Sequence, residues 1–550
     1  MSQDKLDDVK HVDHSSLENV EEFTKDVPPR SELATVLAKE KPDPWSPSMI
    51  RLYLVVFVAY LCSATNGFDS NTFGGASAMS SFQVYFSVDG GSKQGLLAAS
   101  YVIGNMVGSL GAGQISDKWG RRYGMGVGSF ICLVGAVFQA AAQNVNYLIA
   151  GRVVLGLGAV IAQTAGQIAR LSSYEPGILN PAIIGPAYVV EMSHPAYRGI
   201  LTGAYQANFF LGTIISTWIE FGLSYVPGNP DYQWRVPMGL QALPSVLVLI
   251  FIWFIPESPR WYIGQGQDEK ARAILARYHS NGDADSGIVR LQMKEMKEVI
   301  EVESGTDKRW WDIRGLLRTR SDRHRFFLVT CIAFFGQWDL PPTSYYFPLM
   351  VEAAGVTNEH MVLMLNALQL RVIVDIFDKT PIMMISALSG LRFIERWGRR
   401  PTLMLSSTGM ALSVVVITIC TALTPVNPKA GPVGIAFLYI FLVVFSFVWT
   451  PMQSLYPVEV LSYNNRHVRQ AKGLAVMNLF VNACGLFNTY LPPVAIANVG
   501  WRFYLFYACW DALGIAVIYF AFIETKGRNL EEIDLIFQSE HPVRASLAKS

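Results

Sequence analysis

Asp69 sits just past an apolar run, Leu52 to Phe68 ("LYLVVFVAYLCSATNGF"), that has the length of a membrane span. Burying a charge at such a place costs several kcal/mol, about 3 by the milder scales. The residue is therefore either a helix-end aspartate facing water or an ionisable group kept for its chemistry. A second set of charges is written twice. "DKWGRRYG" carries Asp117, Arg121 and Arg122, and "ERWGRRPT" carries Glu395, Arg399 and Arg400. Each is followed by a further acid and base, Glu191 with Arg198 and then Glu459 with Arg466. Such sets can tie neighbouring helix ends together through charge-assisted hydrogen bonds. Asn478 and Asn482, four apart in "MNLFVN", share one helical face.

The elements that hold these residues are apolar helices. The chain has 550 residues, of which 51% are hydrophobic and 16% charged, with a net charge of +1. Soluble domains carry about 25% charged residues. Hydropathy divides the chain into roughly 12 spans of about 20 residues, each long enough for a hydrocarbon core. Six are expected in 51–255 and six in 326–523. Residues 256–325 form a charged linker with short amphipathic helices, in which Ala271, Ile274, Leu275 and Tyr278 recur at helical spacing. Its arginines and lysines mark it as cytoplasmic, which puts both termini on that side as well. Residues 1–50 read as a disordered tail without a signal peptide, and 524–550 as a second tail. The near-neutral charge argues against nucleic-acid partners. The six cysteines lie in or beside apolar runs and read as small hydrophobes. No metal-ligand cluster, cofactor motif or catalytic triad is visible, so no cofactor and no enzymatic activity is expected.

Several of these stretches together resemble the sugar porters of the major facilitator superfamily. They are "GQISDKWGRR", "GRVVLGLG", "PAYVVEMSHPAYRG", "PESPRW", "ERWGRR" and "ETKGRNLEEID", spread over about residues 50–537. "FFGQW…SYY" and "YPVEVLSY" look most like the fungal branch of lactose permeases and hexose carriers. The resemblance implies an all-α membrane protein with two pseudo-repeated six-helix bundles around a central sugar site, exposed alternately to either side. It implies that Asp69 is a proton carrier with Arg152 as its partner, and hence sugar/H⁺ symport of a disaccharide or hexose. Gln206, Gln337, Asn478 and Asn482 fall on the family's sugar-binding amides. Trp338, Tyr345, Tyr346 and Trp449 are the aromatic candidates. Glu257 and Arg260 of "PESPRW" and Glu524 of "ETKGR" join the cytoplasmic charge network. A plasma-membrane monomer is expected from family habit. A facilitator without proton coupling and a non-transporting sensor are the alternatives.

The chain departs from the family pattern in four places. Residues 167–185 ("QIARLSSYEPGILNPAIIG") intervene in the fourth span, and deleting them would join Gly166 to Pro186. Arg371, Asp375, Asp378 and Lys379 lie where the eighth span should be apolar, and "HVRQ" at 467–470 is surplus. "GQWDLPPTSYY" puts two prolines and an aspartate into the seventh span. The inserts are either genuine loops or translated intron sequence. If the spans are truly interrupted, an inactive chain is a further alternative.

Overall fold

The computed structural model describes residues 43–547 except 89–90, 165–186, 227–229, 305–316, 341–342, 357, 369–388, 391–392, 395, 462–465, 527 and 529. The insert at 167–185, the charged stretch Arg371 to Lys379, Glu395 and most of the N-terminal tail lie outside the described residues. So do the side chains of Asp117, Gln206, Arg466 and Asn478.

The described chain is helical, with no strand among the described residues. Ser46 caps the first helix by accepting from the Met49 amide, and Pro47 stands at its first position, where its missing N–H is not needed. In chain order the first four long helices are α1 (Pro47–Ala78), α2 (Gly91–Trp119), α3 (Arg121–Ala140) and α4 (Val145–Thr164). After the undescribed stretch come α5 (Arg198–Ser224) and α6 (Asp231–Phe254, broken at Gln241). The linker supplies α7 (Asp268–His279) and α8 (Gly287–Ser304). The second half contains α9 (Arg320–Phe335), α10 (Thr343–Ala353), α11 (Glu359–Leu368), α12 (Arg399–Leu423), α13 (Ala430–Val460), α14 (Arg466–Val499) and α15 (Phe503–Ala521).

Seven described stretches are long and apolar enough to cross a membrane, and one of them, Leu479–Ala521, runs through both α14 and α15. Among the described residues α2, α5, α9, α10 and α11 stand between these stretches in chain order, consistent with a major facilitator fold. Close helix approach is built with glycine. A Cβ on Gly67 of α1 would fall 1.9 Å from the Phe209 carbonyl oxygen, and one on Gly212 of α5 would fall 2.0 Å from that of Ala64. Small residues at such crossings let the helices pack through backbone contact, since lipid offers no hydrophobic drive between them.

Two of the three apolar clusters lie mainly within one half each. Met49, Tyr188, Tyr205 and Tyr278 belong to a cluster within the first half and its linker, and Leu328, Trp449 and Tyr456 to one within the second. At the face away from the linker a third cluster joins both halves: Phe73, Phe82 and Trp234 pack with Tyr345, Tyr346 and Leu363. Ser80 reinforces it, donating from its amide (3.2 Å) and hydroxyl (2.7 Å) to Glu359. The two halves are therefore in contact on the linker-distal face.

Candidate functional site: a buried carboxyl, an arginine and a broken helix

Asp69 lies inside α1 with 1% of its surface exposed, and neither carboxylate oxygen has a hydrogen-bond partner. Arg152 of α4 is wholly buried. Its Nε donates to the Leu97 carbonyl (2.6 Å), while both terminal nitrogens are unpartnered. The guanidinium carbon stands 4.0 Å from the ring centre of Phe73, which follows Asp69 by one helical turn, and 6.0 Å from that of Tyr345. The two charges are within electrostatic reach, yet no hydrogen bond closes between them. Arg152 is instead held by a carbonyl and by π faces, one of which comes from the other half of the molecule. One turn before Asp69, Asn66 accepts from the Tyr101 hydroxyl (2.9 Å) and donates to Gln163 (3.2 Å). Asn66, Tyr101 and Gln163 carry no motif that marks them in the sequence.

The seventh span breaks between α9 and α10, where "GQWDLPP" carries two prolines that cannot donate. The carbonyls freed by the break find side-chain donors. Asn488 of α14 gives its amide to the carbonyls of Gln337 (2.6 Å) and Leu340 (2.9 Å) and accepts from the Tyr507 hydroxyl (2.7 Å). Gln453 donates to the Gly336 carbonyl (3.0 Å). This is how irregular backbone is tolerated at membrane depth.

Around the break, the Gln337 side chain comes near Gly485. Trp338 turns toward α14 and α15, donating to the Cys484 carbonyl (2.9 Å) with its ring 5.4 Å from Trp510. Tyr346 donates to the Thr489 carbonyl. Tyr345 faces Phe73, at 6.4 Å between ring centres. Asn482 is partly buried on α14, and Asn478 lies one turn earlier. Trp449 is buried in the second-half core and donates to Ser407 (3.2 Å). Tyr345 is thus brought to Arg152 and the Asp69 helix, whereas Trp338, Trp449 and Tyr346 are anchored by hydrogen bonds inside the second half. Gln206 is placed by its backbone alone, on α5.

The duplicated charges build two matching networks on the linker side. Gly120 adopts φ 101° before α3, and the Glu257 carboxylate lies where its Cβ would be. That carboxylate accepts from the amides of Arg121 (2.8 Å), Arg122 (3.1 Å) and Ser258 (2.9 Å), capping the start of α3. Burial pushes the Glu257 carboxyl above its ordinary value, and these N–H bonds pull it back. Arg121 pairs with Glu191 (3.5 Å), which also accepts from the Ser258 hydroxyl. In the second half Gly398 has φ 102°, and Glu524 accepts from the amides of Arg399 (2.9 Å) and Arg400 (3.1 Å). Arg399 pairs with Glu459 (2.6 Å), which accepts from Thr525 (2.5 Å). Tyr188, which donates to the Pro256 carbonyl, has its counterpart in Tyr456, which donates to that of Ile523. Arg198 is partly buried beside His194 and His279, and Arg260 is engaged near the start of the linker.

Comparison with known proteins gives these networks a family. The profile described as "Sugar (and other) transporter" matches residues 55–166 and 180–537. The chain belongs to that transporter family. Members similar to it include the high-affinity glucose transporter of Kluyveromyces lactis, 26% identical over 90% of this chain and 87% of the relative. Sugar transporter STL1 of Saccharomyces cerevisiae is 28% identical over 81% of this chain and 72% of the relative. Among solved structures, the inward-open xylose transporter XylE of E. coli overlays with a TM-score of 0.67 at 18% identity, covering 88% of this chain and 99% of that one. The family match pauses between 166 and 180, inside the stretch read from the sequence as an insertion. It runs without a pause through the charged residues after Gln369.

Proposed function

We propose that this transporter moves a sugar across the membrane by alternating access and couples it to inward proton movement through Asp69. The observation that carries the proposal is the Asp69 carboxyl, buried to 1% exposure without a partner beside an arginine held by carbonyl and ring contacts. As a carboxylate without partners it would cost several kcal/mol at membrane depth, at least about 3; as the neutral acid it would not. The geometry suits a proton-loaded state, in which Arg152 is free of Asp69 and packs on Phe73 and Tyr345 across the closed linker-distal face. Losing the proton would restore the charge on Asp69, draw Arg152 toward it, and loosen that contact. In this reading the linker, its two charge networks and both termini are cytoplasmic. The site is then closed to the outside of a plasma-membrane transporter acting as a monomer.

The sugar is held by Gln206, Gln337, Asn478 and Asn482, with Trp338, Tyr345, Tyr346 and Trp449 shaping an apolar wall. Relatives named glucose transporters favour a hexose. The fungal lactose-permease resemblance keeps a disaccharide in play. The deciding experiment is alkalinisation of a weakly buffered medium by cells expressing the chain, with glucose, lactose and cellobiose given in turn. Alkalinisation by one sugar names the substrate and establishes symport, and the Asp69→Asn variant then abolishes accumulation. An inside-negative potential of about 100 mV is worth about 2.3 kcal/mol per proton, or roughly 50-fold accumulation. Uphill accumulation by Asp69→Asn would show that another group carries the proton.

A further inference from the structure

Glu220 is a second carboxyl buried at membrane depth, and nothing above uses it. It lies in α5, one turn past Ser216, with no exposed surface. Its Oε1 accepts from Ser216 one turn earlier (3.1 Å), and its Oε2 has no partner. The carboxyl rests on the bare backbone of Gly75 in α1, at the spot a side chain there would fill. Among the described residues, no lysine, arginine or histidine pairs with it.

Its neighbours form a polar file. The Ser216 hydroxyl is 2.8 Å from that of Thr72 on α1, which precedes Phe73 and stands three residues, one turn, from Asp69. On the other side, Ser224, one turn past Glu220, hydrogen-bonds His360 of α11 (3.0 Å) at the linker-distal face. The charged groups of the other elements packed here are accounted for. Asp231 and Arg235 of α6 face each other at 3.9 Å, and Glu359 of α11 accepts from Ser80. Ser216, Glu220 and Ser224 thus line one face of α5, from the half-buried His360, stacked on Tyr225, down to the turn that holds Asp69.

We propose that Glu220 is a proton-loading site, which takes a proton at the linker-distal face by way of His360 and Ser224 and passes it through Ser216 and Thr72 toward Asp69. The inference rests on the proton-coupled reading above. In the transfer a proton leaves the Glu220 carboxyl as the Asp69 carboxylate gains one. Ser224 and Thr72, whose hydroxyls donate to the Phe221 and Phe68 carbonyls, turn toward the carboxyls to pass it; each hydroxyl exchanges one O–H for another, and no other bond changes. A glutamine would satisfy Ser216 equally well without a carboxyl's burial cost, so hydrogen bonding alone does not account for an acid here.

The test compares net uptake driven by a proton gradient with sugar exchange at equal pH on both sides, in reconstituted vesicles, as a function of external pH. For Glu220→Gln we expect net uptake at pH 7.5 to fall about tenfold and its pH profile to move acidic by a unit or more, while exchange falls much less. Ser216→Ala and Thr72→Val should shift the profile the same way by less, and they keep the test alive if Glu220→Gln does not reach the membrane. A Glu220→Gln profile superimposable on that of a proton-coupled wild type would overturn the assignment, as would equal losses of uptake and exchange. A wild type that moves no protons with sugar would instead remove the coupling reading on which the site depends.

Discussion

Acidification should undock the linker. His194 and His279 meet where α7 packs on the first half, with ring centres 5.2 Å apart. His279 donates from Nε2 to the Met192 carbonyl (2.9 Å), and its Nδ1 lies 2.8 Å from the Gln292 side-chain amide. Gln292 Nε2 has no other partner, so turning that amide over lets it donate to a neutral ring and satisfies both groups. Burial lowers both histidines below their ordinary value, His194 to about 3, with the other imidazole or Arg198 adding repulsion. A histidine lowered on docking contributes nothing unfavourable above about 6.5, and the docked state is lost progressively as pH falls from there toward the docked value. At pH 5.5, one unit below the free value, His194 alone costs the docked state about 1.4 kcal/mol, or about tenfold in the open population. His279 acts with the same sign. The assay is hydrogen exchange of the Asp268–His279 amides at pH 7.5 and 5.5, corrected for the intrinsic pH dependence of exchange. The wild type should open at least several-fold more often at pH 5.5, and the double variant His194→Gln/His279→Gln should lose that response. An opening frequency unchanged by pH, or a full response in the double variant, would refute the reasoning.

Further substitutions probe other parts of the molecule. Gln206→Ala should raise the apparent KM roughly tenfold, the worth of a lost sugar hydrogen bond or two, and an unchanged KM would rule out direct contact. Asn488→Leu keeps the branched shape but strands the carbonyls of Gln337 and Leu340 and the Tyr507 hydroxyl. At about 0.6–1.7 kcal/mol per membrane hydrogen bond, it should cost about 2–5 kcal/mol and visibly lower the Tm in detergent. A Tm within a degree of wild type would mean that water or a neighbour caps the break. Gly120→Ala and Gly398→Ala force a residue with a Cβ into a glycine-only backbone region and against the capping carboxylate, at about 1–3 kcal/mol each. Gly111→Ala, where a Cβ would meet open space, is the neutral control for both.

Charge patterning alone makes one part of the architecture legible in the sequence. Arg121 with Glu191, and Arg399 with Glu459, stand out because ionic side chains are rare in an apolar chain and because they recur in order; Glu257 and Glu524 are expected only from the family resemblance. Their uncharged partners, Ser258 with Thr525 and Tyr188 with Tyr456, carry no such signal, and only the pairing of the two networks in space exposes them. Asn488 is hidden for a related reason. An asparagine in "FNTY" is unremarkable until the prolines at 341 and 342 are seen to free carbonyls that something must satisfy. Glu220, in "TWIEFGL", resembles a helix-end acid when read along the chain. Its significance appears only with Gly75 and Thr72 of another helix beside it. Interhelical geometry sets these roles, and a single sequence records only the residue types.

The placement of contacts also says how the halves can move. Both charge networks close within their own half, fixing α3 to the start of the linker and α12 to the end of α15 through capped helix starts. Each bundle is thereby stiffened at its linker-side end, with no need for the other to hold it. The contacts between halves are of another kind: close backbone packing of α2 on α14 at Gly95 and Tyr490, aromatic packing of Phe73 on Tyr345, and the bonds of Glu359 to Ser80 and of His360 to Ser224. Single contacts of this sort are worth about 0.5–1.5 kcal/mol each, so a few can be broken and remade in a transport cycle. Arg152 sits at that boundary, with π contacts from Phe73 and Tyr101 of its own half and one from Tyr345 of the other. A change of charge on Asp69 acts on Arg152 directly, and so bears on the contact that must open. On the proposed coupling no long pathway is needed, because Asp69 and the contact between the halves share one guanidinium.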